Sequence, residues 1–522
     1  NRTNPKNREE MDLSKVFKGS LVRVIAELRS LVPKEEFDAA VKKVIPEGLD
    51  GIENFKYEPV VAKKDDGKSK TKKQRVFDIT KYRRRHIALR IYYDGSQMGG
   101  FAQHDSCSLM DGMADDNSVE TAIFAALKRV NLIDDITKCR YHRCGRTDAG
   151  VSAFNQVISL YLRSNLRSGV EFVDEYDPTI VYNPPATLPK TQLTEFDYPA
   201  VLNKVLPPNI RVTGWCPVSR TFSARFSCCG RVYRYYFLRR EYDTELLKQA
   251  VKLLEGEHDF RNFCRIDAVN VCDFTRTIFR GDVILVEKGR DPSHDVMAVE
   301  IIGRAFLWHQ IRCIMSILFL IGSGNEPISV IPDLLDISKS PHKPQYLMAD
   351  PEPLVLYDCI FTPISGARDS STRRFFENIR SSPFYAPIVA SNVEGKYNSE
   401  PCSFDDSLSQ AALRELVSFG ESQLFDCEVR RARVTQMLDG ICTEYGEKMA
   451  AMPRKRSDFR ELLSLRYTPL EKRTKAPSYE ERILTMGNTS LVKLQNRYQN
   501  VDLEKNEFIP EVIKKKLAEV KK

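Results

Sequence analysis

At 522 residues, 42% of them hydrophobic and 29% charged, the chain has an ordinary globular composition and the length of two or three domains. Its net charge of +8 favours an acidic partner such as nucleic acid without requiring one. The longest apolar run, at 313–322, is far shorter than the ~20 residues of a membrane helix, so we predict a buried helix and no membrane partner. The 13 cysteines are odd in number and form no C-x-x-C pair, which favours reduced thiols in the nucleus or cytoplasm over a disulfide framework or a zinc site. The chain begins with Asn1 rather than methionine, so we expect that a leader is missing.

Residues 1–84 are predicted to form an N-terminal helical and basic extension. Within it, 12–45 has the pattern of one or two short amphipathic helices. From Lys63 to Arg85 there are 11 Lys or Arg against 3 Asp. Such a run indicates either a solvated linker or a segment that contacts RNA or directs nuclear import, and the sequence leaves both open.

Two stretches of alternating strands and helices follow, at 85–200 and 201–365, and this alternation predicts two α/β halves. In the first half we expect a strand at 86–95, a helix beginning near Asn117 and Glu120, and a strand at 156–162. In the second half we expect strands near 210–215, 231–240 and 296–303, and helices at 245–256 and 308–321. Residues 366–522 are more polar and irregular, and we assign them to a C-terminal extension of unclear structure.

A loop with the sequence "HRCGRTDAGVSAF" (142–154) precedes the strand at 156–162 and carries one carboxylate, Asp148. An aspartate before glycine is commonly a turn residue, which is the structural interpretation. The functional interpretation is that the flanking glycines admit a ligand close to the backbone, and that Arg146 holds a phosphate or stacks on a base.

A second pattern, at 220–237, interleaves arginines with aromatic residues. The two-residue period of a strand places Tyr233, Tyr235 and Phe237 on one face. Such a strand is either half-buried with a charged outer face, or a nucleic-acid surface in which arginines hold phosphates and aromatics stack on bases.

A third pattern, "GRAFLWHQIRCIMSILFLIG" (303–322), places Arg312 at the start of the apolar helix. An arginine desolvated there requires an anionic partner, unless its side chain extends back to water. His309 is interpreted as a structural histidine of the same helix.

In this order and spacing, the three patterns resemble the signature blocks of the TruA family of tRNA pseudouridine synthases. The resemblance covers about 85–363. The segments "KPQYLMA" (343–349) and "RYTPLEKRTKAPSYEERI" (466–483) further resemble a eukaryotic branch that modifies uridines 38 and 39 in the tRNA anticodon stem-loop.

The resemblance implies two ferredoxin-like halves that share one continuous, mostly antiparallel sheet with flanking helices, and an active site in the cleft between them. It implies that Asp148 acts at the ribose, Tyr233 stacks on the uracil and handles the C5 proton, and Arg312 pairs with Asp148 and keeps it ionised. Arg146 resembles the residue that fills the space of the flipped nucleotide. The reaction is an isomerisation, so we expect no cofactor and no metal. We further expect tRNA as the partner, a homodimer, and a nuclear or cytoplasmic location.

Two alternatives stay open. One is an enzyme of the same fold that acts on other tRNA or snRNA uridines. The other is an RNA-binding or chaperone protein whose active site no longer functions; intact Asp148, Tyr233 and Arg312 argue against it, since a chaperone needs none of them.

Overall fold

The computed structural model describes residues 77–103, 116–185, 193–361, 467–503 and 506–521, with scattered positions between 414 and 437. The helices expected at 12–45, the basic run up to residue 76 and most of 366–460 lie outside these residues. In the part of the chain that is described, no helix combines the length and the apolar character needed to cross a bilayer.

The described residues of the first half form four strands and two α-helices: β1 (Arg84–Tyr93), α1 (Val119–Arg129), β2 (His142–Arg143), β3 (Ser152–Arg163), α2 (Tyr198–Asn203) and β4 (Ile210–Pro217). The N-cap of α1 is Ser118, whose hydroxyl accepts a hydrogen bond from the Thr121 amide, so the helix starts one residue later than Asn117 suggests. The strands lie in the order β4-β1-β3-β2, which is the ferredoxin-like arrangement.

The second half repeats this arrangement with additions: β5 (Gly230–Leu238), α3 (Thr244–Lys252), β6 (Gly256–Asp259), β7 (Thr275–Glu287), β8 (Val296–Gly303), α4 (Gln310–Gly322), α5 (Val330–Leu335) and β9 (Leu354–Ile360). Its strands lie in the order β9-β5-β8-β7, with β6 added at the outer edge. The prediction of alternating strands and helices is therefore confirmed, but it omitted β6, the long strand β7 and the short helix α5. The strand expected near 210–215 in the second half, β4, pairs with β1 and belongs to the first half.

The two halves meet where β9 lies between β3 and β5. It pairs in parallel with β3 through Ser152↔Val355 and Ala153↔Leu356, and antiparallel with β5. All other pairings among the described strands are antiparallel, so the expected continuous and mostly antiparallel sheet is confirmed. Since β1 occupies one edge of β3 along most of its length, β2 and β9 share the other edge, and the loop at 144–151 emerges beside this junction.

The helix α4 is buried on nearly every side, as its apolar sequence predicts. Its Phe319 ring packs against Tyr235 and Phe237 on β5, with ring centroids 5.8 and 5.6 Å apart. This packing fixes the start of the helix, where Arg312 is located, relative to the central strand of the second half.

The C-terminal segment from 467 packs on the second half and contains three helices, α6 (Tyr479–Leu484), α7 (Asn488–Tyr498) and α8 (Glu511–Lys521). The buried carboxylate of Glu326 accepts hydrogen bonds from the Tyr467 hydroxyl and from the Leu470 amide. Next to this anchor, Lys475 pairs with Pro344 in an isolated bridge, and the ring of Tyr479 packs on Phe274 with centroids 5.2 Å apart.

Candidate active site

The loop at 144–151 is held by side chains from the sheet beneath it. Gln156 on β3 brackets Gly145: its amide nitrogen donates to the Gly145 carbonyl at 2.9 Å, and its amide oxygen accepts from the Gly145 nitrogen at 3.2 Å. The hydroxyls of Tyr93 on β1 and Thr147 share a hydrogen bond of 2.7 Å. Because Asp148 follows Thr147 directly, these contacts fix the backbone from which its carboxylate extends.

Two glycines of the segment after β1 allow this loop to pack closely. A Cβ atom at Gly95 would lie 2.0 Å from the Val151 carbonyl oxygen, so only glycine fits. Gly100 has a φ of +107°, and a Cβ atom there would lie 3.2 Å from the Thr147 oxygen. The glycines of 95–100 therefore serve the loop that carries Asp148.

Glu120, at the start of α1, supports the same region from the other side. Its buried carboxylate accepts hydrogen bonds from the Tyr141 hydroxyl at 2.7 Å and from the Gln103 amide at 2.8 Å, and it pairs with Arg143 on β2. One carboxylate thus ties the segment after β1 to the chain that leads into the Asp148 loop.

The carboxylate of Asp148 faces the second half of the protein. Its Oδ2 atom lies 3.5 Å from Arg312 Nη1 and 3.4 Å from His309 Nε2. The indole of Trp308 is also close enough to this carboxyl group to lower its pKa. The structure therefore brings together Asp148 from the first half and three consecutive or near-consecutive side chains from the start of α4.

Burial raises the pKa of the Asp148 carboxyl above its ordinary value, although Arg312 and Trp308 act in the opposite direction. Arg312 lowers the pKa of Asp148, which is the direction expected for a partner that favours the ionised form, but burial has the larger effect. The positive charge offsets only part of the desolvation cost of a side chain that is 21% exposed. Each hydrogen-bond donor around this carboxylate consequently affects how readily it ionises.

Arg312 is fixed by contacts on two sides. Its Nε donates to the Ala349 carbonyl at 2.8 Å, and its side chain is 13% exposed. The Ala349 amide in turn donates to the hydroxyl of Ser316, one turn further along α4. The anion that a largely desolvated arginine requires is Asp148.

Tyr233 lies on β5 with its ring edge-on to Phe306, at a centroid distance of 5.2 Å. Its hydroxyl lies 3.8 Å from the position that a Cβ atom of Gly145 would take, so the phenol reaches the Asp148 loop. Burial raises its pKa above the ordinary value for a tyrosine, in spite of the nearby Arg231. The group is therefore a neutral phenol at physiological pH.

The other residues of the arginine and aromatic pattern have mainly structural contacts. The Tyr235 and Phe237 rings belong to the core, and Arg231 is buried and donates to the carbonyls of Cys144 (2.9 Å), Arg225 (3.0 Å) and Arg304. Arg231 thus links the Asp148 loop to the second half. For these residues the half-buried strand is the correct interpretation.

Arg225 and Phe226, in that pattern, face solvent. Phe226 is 68% exposed, and the guanidinium carbon of Arg225 lies 5.1 Å from its ring centroid. Arg146, on the Asp148 loop, is also exposed. These three side chains can contact a nucleic acid.

His309, interpreted from the sequence as a structural histidine of the helix, is the N-cap of α4 and has a left-handed backbone. Its Nε2 atom lies 3.4 Å from Asp148 Oδ2, a contact that the sequence does not indicate. Gln156 and Glu120 carry no sequence signal either, because their roles depend on contacts between distant segments.

Comparison with known proteins identifies relatives of this chain. A family model described as tRNA pseudouridine synthase matches residues 250–362. A tRNA pseudouridine(38/39) synthase of Bos taurus is 43% identical over 310 residues, covering 58% of this chain and 61% of the relative. A probable tRNA pseudouridine synthase of Caenorhabditis elegans is 39% identical over 300 residues, covering 56% and 70%. A tRNA pseudouridine(38/39) synthase of Saccharomyces cerevisiae is 37% identical over 306 residues, covering 58% and 63%.

The chain aligns with about three fifths of the length of the Bos taurus and Saccharomyces cerevisiae relatives. The aligned stretches of 310 and 306 residues are long enough to include both halves that form the sheet.

Proposed function

Because the chain belongs to the TruA family of tRNA pseudouridine synthases, we propose that it isomerises uridine to pseudouridine in tRNA. The reaction breaks the bond between ribose C1′ and uracil N1, turns the base, and joins C1′ to C5. It needs a carboxylate at the sugar, a surface on which the detached base can turn, and a group that removes the C5 proton. It exchanges no electrons with an outside partner.

The observation that carries the proposal is the juxtaposition of Asp148 with Arg312 at the junction of the halves, beside the Tyr233 phenol. In the proposed mechanism, Asp148 acts on the ribose and Arg312 orients it and offsets its charge. Tyr233 stacks on the uracil with its ring, and its hydroxyl is the group within reach of the C5 proton.

A uridine inside a stem can reach such a site only after it has been turned out of the helix, which costs a few kcal/mol. The exposed side chain of Arg146, two residues before Asp148, is in a position to take the place of that nucleotide. The exposed pair of Arg225 and Phe226 offers a cation and a ring to the neighbouring RNA.

For the target, we propose uridines 38 and 39 of the anticodon stem-loop. Two of the relatives carry these positions in their names, and the described tail from 467 follows the sequence typical of that branch. We further propose a homodimer in the nucleus or cytoplasm. The family resemblance supports the dimer, and the free thiols of all ten described cysteines are compatible with a reducing compartment.

The test is tritium release from tRNA labelled at uracil C5, followed by single-nucleotide mapping of pseudouridine. We expect the wild-type protein to release tritium and to modify positions 38 and 39. Asp148→Asn should abolish the product while tRNA affinity and the melting temperature stay near wild type, because the change is nearly isosteric and affinity comes mainly from phosphate contacts.

Asp291→Asn is the matched control, since Asp291 is an exposed turn residue remote from the sheet junction. Binding of tRNA without any product from the wild-type protein would favour the RNA-chaperone alternative. Product at other uridines would favour an enzyme of the same fold with a different target. Turnover by Asp148→Asn would remove the carboxylate from the mechanism.

A further inference from the structure

We propose that His309 is a positioning residue of this site, a neutral hydrogen-bond donor that holds the Asp148 carboxylate jointly with Arg312. The inference rests on the proposed function, in which Asp148 acts on the ribose. His309 thereby joins Asp148 and Arg312 in the site as a neutral side chain.

The first support is geometric. His309 Nε2 and Arg312 Nη1 approach the same carboxylate oxygen, at 3.4 and 3.5 Å. His309 is the N-cap of α4 and Arg312 lies three residues further on, so both side chains leave one face of one helix terminus. The positive end of the helix dipole also favours an anion at this place.

The second support is the backbone of His309. Its φ of 62° lies in the left-handed region, which few residues other than glycine adopt, although histidine is over-represented among them together with asparagine and aspartate. The neighbouring chain enforces this conformation: the Gln310 side chain accepts from the Leu307 amide at 2.7 Å, and the Trp308 carbonyl accepts from the Arg265 amide at 2.9 Å. Glycine would adopt the same backbone without strain, so the imidazole is present in spite of the backbone preference.

The third support concerns the proton on the ring. His309 Nδ1 is buried and has no hydrogen-bond partner among the described residues. A proton on Nδ1 would be a buried donor without an acceptor, which is costlier and rarer than an unfilled acceptor. The proton therefore belongs on Nε2, the ring nitrogen that lies 3.4 Å from Asp148 Oδ2.

The imidazole also stays neutral. Burial, followed by the positive charges of Arg312, Arg265 and Lys343, lowers the pKa of His309 to about 4. The carboxylate of Asp148 is the anion that faces the ring, at 3.4 Å. A neutral donor at this place fixes the orientation of the carboxylate without adding a second positive charge that would compete with Arg312.

A second donor matters because Arg312 alone holds Asp148 loosely. The Nε of Arg312 is committed to the Ala349 carbonyl, and its Nη1 reaches Asp148 at the long distance of 3.5 Å. Burial already raises the pKa of Asp148. Loss of the donor from His309 should therefore raise this pKa further and leave the carboxylate free to rotate.

The experiment compares the wild-type protein with His309→Leu, which removes the donor at similar volume, and with His309→Gln, whose amide nitrogen reaches the position of Nε2. His294→Leu serves as the control, since His294 is a surface residue paired with Asp291. For each variant we would measure single-turnover tritium release against pH, tRNA affinity, and melting temperature.

We expect His309→Leu to lose about 10- to 100-fold in rate, with its acid limb at higher pH and tRNA affinity unchanged. His309→Gln should recover most of the rate and the wild-type acid limb. The wild-type profile should show no limb near pH ~6.5 from an ordinary histidine. A wild-type rate and acid limb in His309→Leu, or a His309→Gln variant that folds but is as impaired as His309→Leu, would overturn the inference.

A readout independent of turnover separates this inference from the proposed function. The carboxyl carbon of Asp148 can be titrated by NMR in protein with labelled aspartate, with Asp148→Asn used to assign the signal. We expect its pKa to rise in His309→Leu and to return in His309→Gln. If the wild-type protein releases no tritium but this shift is seen, the proposed function fails and the role of His309 stands; an unchanged titration overturns the role of His309.

Discussion

The surroundings of Tyr233 determine the protonation state of its phenol. Burial raises its pKa, so the hydroxyl keeps its proton at neutral pH in the free protein. The ring is buried and lies edge-on to Phe306. The hydroxyl can take part in proton transfer only after the bound base has changed its surroundings.

We expect Tyr233→Phe to bind tRNA as the wild-type protein does, because the stacking ring is kept. Its turnover should fall by the ~10²–10⁴-fold typical of a lost acid–base group. Single-turnover tritium release and filter binding would measure the two quantities. Tyr236→Phe is the control, since the adjacent Tyr236 side chain points to the other face of β5. A wild-type rate in Tyr233→Phe would reduce the role of Tyr233 to stacking.

Several residues of the site could be predicted from the sequence, and the structure shows why others could not. Asp148, Tyr233 and Arg312 belong to local motifs, and the geometry brings Asp148 and Arg312 within 3.5 Å. The contact of His309 with Asp148 depends on a left-handed backbone, and a histidine in the sequence does not indicate this conformation. Glu120 acts only through contacts with segments distant in the chain.

At the scale of whole elements, the C-terminal segment supports the chain that holds Arg312. The Gln345 amide donates to the Thr474 carbonyl at 3.0 Å, and the Ala476 amide donates to the Lys343 carbonyl at 2.8 Å. The same stretch continues to Ala349, whose carbonyl accepts from Arg312. Glu326 fixes the start of this support through Tyr467 and Leu470.

Glu326→Gln should therefore loosen the tail and impair the active site indirectly. Hydrogen bonds to a buried charged group are worth on the order of 1.5–3 kcal/mol each, so local opening of the tail should become easier. We expect faster proteolytic cleavage after residue 467 and a several-fold loss in turnover, with tRNA modified at the same uridines. Glu471→Gln changes an exposed glutamate of the same segment and should have neither effect. Unchanged protease sensitivity in Glu326→Gln would show that this carboxylate does not anchor the tail.

Strands and helices whose apolar residues recur at a regular spacing were predicted correctly. A strand in which exposed and buried residues do not alternate regularly was missed. The strand β5 alternates buried and half-buried residues over its second part, as the two-residue period of its aromatics predicts. The strand β7 contains both exposed and buried positions without regular alternation. Its sequence therefore lacks the two-residue period from which a strand is predicted. Its existence follows from pairing with β8, a contact that a local pattern does not contain.

For the whole molecule, the junction between the halves contains an unusual carboxyl group. Asp358 lies on β9, and burial raises its pKa to about 6, although the Cys359 amide, Arg90 on β1 and Asn155 on β3 act in the opposite direction. The ordinary pKa of an aspartate is about 3.9. Because the pKa in the folded protein is the higher one, the stability contributed by this group is complete below pH ~3.9 and is lost as the pH rises through about 6.

The melting temperature of Asp358→Asn should therefore increase relative to wild type between pH 5 and pH 7.5, since the amide cannot ionise. The Cys359 amide can still donate to the side-chain oxygen, as it does to Asp358 at 2.9 Å. Thermal melts at several pH values would measure the difference. Asp336→Asn is the control, because hydrogen bonds from Ser338 lower the pKa of this carboxyl group and no histidine contributes to the shift, so its effect should be constant over this range. A constant difference for Asp358→Asn would contradict the assigned pKa.

The two-half architecture could be predicted from alternating strands and helices, and the order of strands only through family resemblance. No local signal places β9, the last strand of the second half, against β3 of the first half. That pairing is decided by contacts between residues about two hundred positions apart, such as Ala153 and Leu356.

The position of β9 also has a consequence for the protein while it is being made. After β3 has left the ribosome, the edge that will receive β9 stays without that partner until residue 360 has been synthesised. At ~5–20 residues per second, the intervening stretch of roughly 200 residues takes about 10–40 s to translate. During this time the first half exposes part of an edge strand, the kind of surface at which chains aggregate. Nascent chains that stall between β4 and β9 should therefore depend on chaperones far more than the finished protein does.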